Sequence, residues 1–195
     1  MIPKLEECAY EYIENARKVF VKKQISLISQ QCIGGVIYHD MEMKFLSPTI
    51  NLYLDAKDFI KMVENLQYYM SLPIKVENQD GKIVGFLEDL KIIFLHYDEV
   101  ETAKEKWEER KQRILWDKLF IICTDRDGFD DECFERFKNL KYPKVLVTRN
   151  EKWKDEDFCV YLEKYKNEDF IPDTIPTREF YEQNQIIKIL NQAYN

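Results

Sequence analysis

The sequence predicts an α/β fold of one domain, in which a mostly parallel sheet is covered by helices on both faces and one antiparallel hairpin is attached. Short, nearly continuous apolar runs of strand length alternate with segments whose apolar residues recur every three or four positions. The pair Asp80-Gly81 separates two further short apolar runs, which is typical of a hairpin. A chain of 195 residues with 45% apolar content is long enough to bury a sizeable core. We therefore expect residues 1–195 to form a single domain.

In the first half of the chain, spacings of three and four between Leu5, Cys8 and Tyr12 predict an amphipathic helix at about residues 4–20. The apolar run that begins near Gln24 predicts a buried strand. We expect a loop at about 30–48, with a short strand around 36–38, and then a second strand at 49–54. A helix should follow, with Asp55 as its cap and Pro73 just beyond its end.

In the second half, apolar runs and helical periodicity alternate regularly. They predict strands at 91–95, 119–124 and 144–148, with a further strand at 158–162. Helices are predicted at 100–115 and 130–139, and a C-terminal helical extension at about 178–193 closes the chain.

Composition excludes several classes of protein. The formal net charge is −7 and the chain has no basic block, so nucleic-acid binding is not expected. No apolar run approaches the roughly 18 residues of a membrane span, and the first residues lack the features of a secretory signal. The five cysteines are far apart and form no CxxC pair, which indicates reduced thiols. We expect a cytoplasmic protein without a transmembrane segment.

Chemically versatile residues follow the ends of three predicted strands. In an open α/β sheet, ligands bind beyond the carboxyl ends of the strands, so these three loops are predicted to converge on one crevice. The residues concerned are Cys32, Gly34, Gly35, His39 and Asp40 in the first loop, His96, Tyr97 and Asp98 in the second, and Thr124, Asp125, Arg126, Asp127 and Gly128 in the third.

Histidine titrates near neutral pH, so His39 and His96 are candidate catalytic bases or acids. Cys32 is a candidate nucleophile beside them. The alternatives are hydrogen-bonded structural histidines and a small buried cysteine. Gly34 and Gly35 would allow a ligand to approach the backbone closely, or they form an ordinary tight turn. Their spacing matches neither a dinucleotide-binding loop nor a P-loop.

Asp125 and Asp127 form a DxD arrangement after a strand. Two such carboxylates can hold a divalent ion, Mg²⁺ or Mn²⁺, which in turn holds a diphosphate. The alternative is an Asx-type turn before the helix that begins near Asp130.

The helix predicted at 100–115 has an apolar stripe that includes Trp107 and passes through Arg110, with Arg113 close behind. A guanidinium on a core-facing line must be paired or must line a polar cavity. These arginines are therefore either an anion clamp for phosphate or carboxylate, or members of buried ion pairs.

Several of these segments resemble the signatures of a bacterial family, domain-of-unknown-function family nineteen-nineteen. The first is Gln31-Cys-Ile-Gly-Gly-Val-Ile-Tyr-His-Asp, continued by Lys44-Phe-Leu-Ser-Pro-Thr-Ile-Asn-Leu. The later ones are Phe94-Leu-His-Tyr, Lys106-Trp with Arg110 and Arg113-Ile, and Thr124-Asp-Arg-Asp-Gly. The resemblance covers a core of about 24–150, and Gln31 stands where the family more often has asparagine.

Members of this family are often labelled exopolysaccharide biosynthesis proteins. The resemblance therefore implies a glycosyltransferase-like enzyme that acts on a nucleotide sugar or another phosphorylated sugar, in association with polysaccharide assembly proteins. Ser47, Tyr97 and Trp107 would contribute to the substrate site together with the glycines and arginines. Two alternatives stay open: a hydrolase or acyltransferase that uses Cys32 or Ser47, and a non-catalytic binding or regulatory module.

Overall fold

The computed structural model describes residues 5–21 and 23–194, which form two four-stranded sheets surrounded by helices. The strands are β1 Ser26–Ser29, β2 Leu52–Tyr53, β3 Lys75–Gln79, β4 Lys82–Leu87, β5 Leu90–Phe94, β6 Leu119–Thr124, β7 Lys144–Thr148 and β8 Cys159–Tyr161. The α-helices are α1 Glu7–Val19, α2 Ile33–Asp40, α3 Ala56–Glu64, α4 Leu66–Ser71, α5 Val100–Lys111, α6 Asp131–Lys138 and α7 Gln185–Gln192. Short 3-10 helices cover Glu151–Trp153, Glu163–Tyr165 and Glu179–Asn184.

The first sheet is entirely parallel, in the order β1-β6-β7-β8. Successive side chains of a strand point to opposite faces, and here both faces are buried. Leu27 of β1 faces one core while Ile28 faces the other, and Ile122 and Ile121 of β6 divide in the same way. Burial on both sides explains why these strands read as continuous apolar runs, and it confirms the predicted α/β class.

Different elements cover the two faces of the parallel sheet. Helices α1, α2 and α7 pack on one face. Helices α3 and α6 pack on the other, together with the second sheet. That second sheet is antiparallel, in the order β2-β5-β4-β3. The predicted hairpin is β3–β4, whose two turn residues Asp80 and Gly81 have φ values of 51° and 83°, as a two-residue hairpin turn requires. The hairpin is therefore part of a larger antiparallel sheet.

Several local predictions were wrong. The single helix predicted between Asp55 and Pro73 is divided into α3 and α4, and the strand predicted at 49–54 covers only Leu52–Tyr53. Residues 36–38 were predicted as a short strand, but they belong to helix α2, in which Ile33, Val36 and Ile37 are spaced to face the sheet. The C-terminal helix was predicted from Arg178, but α7 begins only at Gln185. The 3-10 segment before it is interrupted where Gln183 and Asn184 adopt left-handed backbone angles that an α-helix cannot accommodate.

Among the residues that the structure describes, no helix is both long and apolar enough to cross a membrane.

The N-terminus of α6 provides a stability test. The Asp130 side chain accepts a 2.9 Å hydrogen bond from the Cys133 amide and lies 3.0 Å from Lys57 Nζ. These partners lower the pKa of the Asp130 carboxyl to about 2. We expect Asp130→Ala to lower the free energy of unfolding by about 1 kcal/mol at neutral pH, because it removes the helix cap.

A carboxyl whose pKa is lowered by folding stabilises the protein above its ordinary pKa of about 4, and this contribution is lost as the pH falls through about 2. The difference between wild type and Asp130→Ala in urea unfolding should therefore shrink between about pH 4 and pH 2. Asp131→Ala is the matched control, because Asp131 is exposed and its carboxylate is paired with the equally exposed Lys152, at 3.6 Å. An equal loss of stability in both variants would contradict the cap assignment.

Candidate functional site

A cavity of about 570 Å³ lies where the two sheets meet, beyond the carboxyl ends of β1, β5 and β6. The three loops predicted to converge all reach it, since Cys32, His96 and Asp127 are among its lining residues. The predicted crevice therefore exists as a geometric feature. Because β5 belongs to the antiparallel sheet, the cavity lies between the sheets and not above one parallel sheet.

Helix α2 forms one wall of the cavity. Gly35 and His39 line it, one turn apart. Gly34 does not: an added Cβ there would lie 2.7 Å from Cβ of Ser29, so this glycine lets the helix approach β1 closely. Gly34 and Gly35 are helical residues, so neither forms the predicted turn. Gly34 allows α2 to pack closely on β1, and Gly35 leaves open space at the cavity wall.

Two arginines line the cavity without a carboxylate partner among the described residues. Arg110 donates a 2.7 Å hydrogen bond from Nη1 to the hydroxyl of Tyr97, and its guanidinium lies 6.0 Å from the centre of the Phe45 ring. Arg126 lies 5.6 Å from the centre of the Phe170 ring, and its buried Nε has no hydrogen-bond partner in the described part of the chain. Both guanidiniums are thus available to an anion. Arg110 thus lines a cavity, as an anion clamp requires, and it forms no ion pair with the described residues.

The two carboxylates of the DxD arrangement, Asp125 and Asp127, lie in different environments. Asp127 lines the cavity, where its Oδ2 accepts a hydrogen bond from Gln31. Asp125 is buried: Oδ2 accepts from the Thr148 hydroxyl and the Arg149 amide, each at 2.8 Å, and Oδ1 accepts from the Ile171 amide at 3.1 Å. Both carboxylate oxygens of Asp125 are thus engaged in hydrogen bonds within the fold.

The residues present do not fit the predicted ion site. Asp125 is already occupied by three donors, so Asp127 is the one member of the pair that faces the cavity. Over residues 5–21 and 23–194, no group of three or more His, Cys, Asp or Glu side chains could hold a metal ion. We therefore derive no chemical step through a protein-bound Mg²⁺ or Mn²⁺.

The two histidines have different surroundings. Nδ1 of His39 lies 3.3 Å from Oδ1 of Asp40. Asp40 is buried and forms an ion pair with the buried Arg178, at 2.6 Å between Nε and Oδ2. His96 lines the cavity in a left-handed backbone conformation, with φ of 60°, and makes no side-chain hydrogen bond to the described residues. His39 is therefore the better oriented of the two candidate bases.

Several predicted site residues lie outside the lining of the cavity. Trp107 is buried in the core against Phe94. Arg113, in the turn after α5, is paired with Glu109. Ser47 is buried, with Oγ 2.9 Å from Oγ1 of Thr49. Tyr97 does not line the cavity itself, but its hydroxyl accepts a hydrogen bond from Arg110, which does.

Cys32 lines the cavity, but its environment opposes ionisation. Burial, and then the negative charge of Asp173, raise the pKa of the Cys32 thiol to about 11. A thiol is nucleophilic as the thiolate, which is scarce at neutral pH when the pKa is this high. In the part of the chain that the structure describes, Cys32 thus has no activating partner, and Ser47 has a hydroxyl neighbour in place of a base.

The C-terminal segment, by which we mean residues 171–178, contributes cavity residues that the sequence analysis missed. Asp173 and Ile175 line the cavity, although they are far from the signature segments. The segment is held near both ends, by Asp125 at the Ile171 amide and by Asp40 at Arg178. It has no helical or strand periodicity, so no local pattern in the sequence could have indicated this position.

Gln30 is a second residue that was missed. Its buried Oε1 accepts hydrogen bonds from the amide and hydroxyl of Thr124, at 3.0 and 3.2 Å, while its main-chain oxygen accepts from the Leu54 amide at 3.1 Å. The available signal was an amide directly after the predicted buried strand, because a buried polar group must be hydrogen-bonded.

We expect Gln30→Leu to lower the free energy of unfolding by about 1–3 kcal/mol, because the buried groups of Thr124 lose their acceptor. Urea unfolding monitored by circular dichroism would measure it. Gln31→Leu is the matched control: Gln31 is half-buried and loses one side-chain bond, to Asp127. An equal loss in the two variants would contradict a special role for Gln30.

Cys32 should react with iodoacetamide much more slowly than the exposed Cys8 at neutral pH. Its rate should rise about tenfold per pH unit as the pH increases toward 11, because the thiolate fraction grows in that proportion. Peptide mass spectrometry after timed labelling would measure both rates. If Cys32 is labelled as fast as Cys8 at pH 7, burial does not suppress its reactivity.

Comparison with known proteins agrees with the family resemblance and extends it. An uncharacterised protein of Haemophilus influenzae is 30% identical over 175 residues, which cover 87% of this chain and 85% of that protein. Neither that name nor the family's description mentions an activity. The family model described as "Domain of unknown function (DUF1919)" matches residues 6–193, well beyond the core first recognised at 24–150, and the chain therefore belongs to this family.

Proposed function

We propose that the cavity binds a phosphorylated sugar, such as a nucleotide sugar, and that the protein is a glycosyltransferase-like enzyme. The observation that carries the proposal is the presence of Arg110 and Arg126 in one cavity, both without a carboxylate partner among the described residues. Guanidinium groups bind phosphate through charge-assisted, often bidentate hydrogen bonds.

The rest of the lining suits the remainder of such a ligand. The carboxylates of Asp127 and Asp173 also line the cavity, and carboxylates accept hydrogen bonds from sugar hydroxyls. Apolar and aromatic side chains, including Phe45 and Tyr53, supply a surface for a ring. A cavity of about 570 Å³ lies within the usual range for small-molecule sites.

In the proposed reaction, the oxygen of an acceptor hydroxyl attacks the anomeric carbon of the sugar. The new carbon–oxygen bond forms as the bond between that carbon and the phosphate oxygen breaks. Nε2 of His39 takes the proton of the acceptor hydroxyl, as a general base. Arg110 and Arg126 stabilise the negative charge that develops on the departing phosphate.

The alternatives from the sequence have less support. A hydrolase or acyltransferase would need an activated nucleophile, and among the described residues neither the Cys32 thiol nor the Ser47 hydroxyl is hydrogen-bonded to a base. A non-catalytic binding module would use the same cavity, and it differs from the proposal in turnover alone. A role in polysaccharide assembly, with partner proteins, is part of the proposal and rests on the resemblance of the signature segments.

Calorimetric titration would test the proposal with uridine and guanosine diphosphate sugars, glucose 1-phosphate and glucose as probes. We expect a phosphorylated probe to bind and glucose alone not to bind. Arg110→Gln and Arg126→Gln should each weaken binding about ten- to a hundredfold, the value of a charged hydrogen bond. Binding should persist in EDTA, because guanidinium groups hold the phosphate.

Arg113→Gln is the matched control, because this arginine lies in the turn just after the helix of Arg110 but is paired with Glu109. Its affinity should equal that of the wild type. The proposal fails if no phosphorylated probe binds, or if Arg113→Gln weakens binding as much as Arg110→Gln. Binding that disappears in EDTA would instead support an ion held by the ligand and Asp127.

A further inference from the structure

The two histidines of the chain both line the cavity, and among the described residues only His39 has a carboxylate within hydrogen-bonding distance. The carboxylate belongs to Asp40, the last residue of α2, which is 2% exposed. Its position depends on the C-terminal segment, which the family signatures in the sequence do not include. This contact connects the candidate base to a part of the chain 138 residues away.

Arg178 donates two hydrogen bonds to the Asp40 carboxylate, one to each oxygen. Its Nε lies 2.6 Å from Oδ2 and its Nη2 lies 3.2 Å from Oδ1, so the grip is bidentate. The remaining group, Nη1, donates to the carbonyl of Ile175. Arg178 is fully buried and has a left-handed backbone, with φ of 60°. A residue other than glycine adopts this conformation at a cost, which indicates that the surrounding structure imposes it.

Tyr181 supplies a further contact to the same carboxylate, with its hydroxyl 3.3 Å from Oδ2 of Asp40. Burial, and then the charge of Asp40, raise the pKa of the Tyr181 phenol well above its ordinary value, so the hydroxyl remains a donor. Oδ2 of Asp40 accepts from both Arg178 and Tyr181, while Oδ1, which also accepts from Arg178 Nη2, faces Nδ1 of His39 at 3.3 Å.

We propose that Arg178 and Asp40 are positioning residues that hold His39 in the tautomer with hydrogen on Nδ1, so that Nε2 is the free ring nitrogen offered to the cavity. A carboxylate can only accept hydrogen bonds, so the imidazole nitrogen that faces it must carry the proton. Free histidine prefers the opposite tautomer, with hydrogen on Nε2. This inference rests on the proposed function only in giving Nε2 the role of a base.

Nitrogen-15 NMR of histidine-labelled protein tests the inference without any ligand. At about pH 8.5, where an ordinary imidazole is neutral, the shifts of the two ring nitrogens identify the tautomer. We expect Nδ1–H for His39 in the wild type. His96 serves as an internal reference within each spectrum.

Asp40→Asn should reverse the tautomer of His39 and leave the signals of His96 unchanged. Arg178 Nε, at 2.6 Å, and the Tyr181 hydroxyl both donate to the Oδ2 position, so the amide oxygen will take that position. The amide nitrogen will then take the position of Oδ1, which faces His39 and the more distant Nη2 of Arg178. Nδ1 must then accept a hydrogen bond, which places the ring proton on Nε2. Arg17→Gln is the matched control, because Arg17 donates to the main-chain oxygen of Asp40 and not to its carboxylate.

The inference is overturned if His39 in the wild type carries its proton on Nε2, a result that requires no variant to fold. It is also overturned if folded Asp40→Asn keeps the wild-type tautomer, or if Arg17→Gln changes it equally. These outcomes are independent of the sugar-phosphate titrations. Failure of ligand binding therefore leaves the tautomer result intact, and a wrong tautomer leaves the binding result intact.

Discussion

The buried amide of Gln30 is the contact on which the architecture of the cavity depends. It follows β1, and its Oε1 accepts hydrogen bonds from Thr124 at the end of β6. Its main chain accepts from Leu54, which follows β2 of the other sheet. One residue thus joins the ends of two parallel strands to the end of β2 in the antiparallel sheet. Because each of these groups is buried, the position of one determines the positions of the others.

This joint explains why the cavity forms where it does. The parallel sheet ends at β1 and β6, and their loops supply Cys32 and Asp127. The antiparallel sheet and α5 supply His96 and Arg110 from the opposite side. Neither layer could form the cavity alone. The position agrees with the general tendency of ligands to bind beyond the carboxyl ends of strands, although here a second sheet provides the facing wall.

Two buried carboxylates attach the C-terminal segment to this framework. Asp125 accepts the amide of Ile171, and Asp40 is paired with Arg178. Burying charges is costly, and a buried ion pair is often no more stable than a well-packed apolar replacement. Such a pair nevertheless selects one docking geometry, because either charge left alone in the interior would be strongly unfavourable. The two contacts fix the chain on either side of Asp173, which lines the cavity. The position of the C-terminal segment therefore affects the shape of the cavity.

The sequence alone determined the properties that depend on neighbouring residues. Apolar runs and helical spacing identified the parallel strands and most helices, the Asp80-Gly81 turn identified the hairpin, and the apolar stripe of α5 placed Arg110 toward the interior. Only the tertiary structure decided that Asp127 faces the cavity while Asp125 is buried, and that Arg178 meets Asp40. These outcomes depend on how separate elements dock, and a contact between residues 138 apart leaves no periodic pattern in the chain.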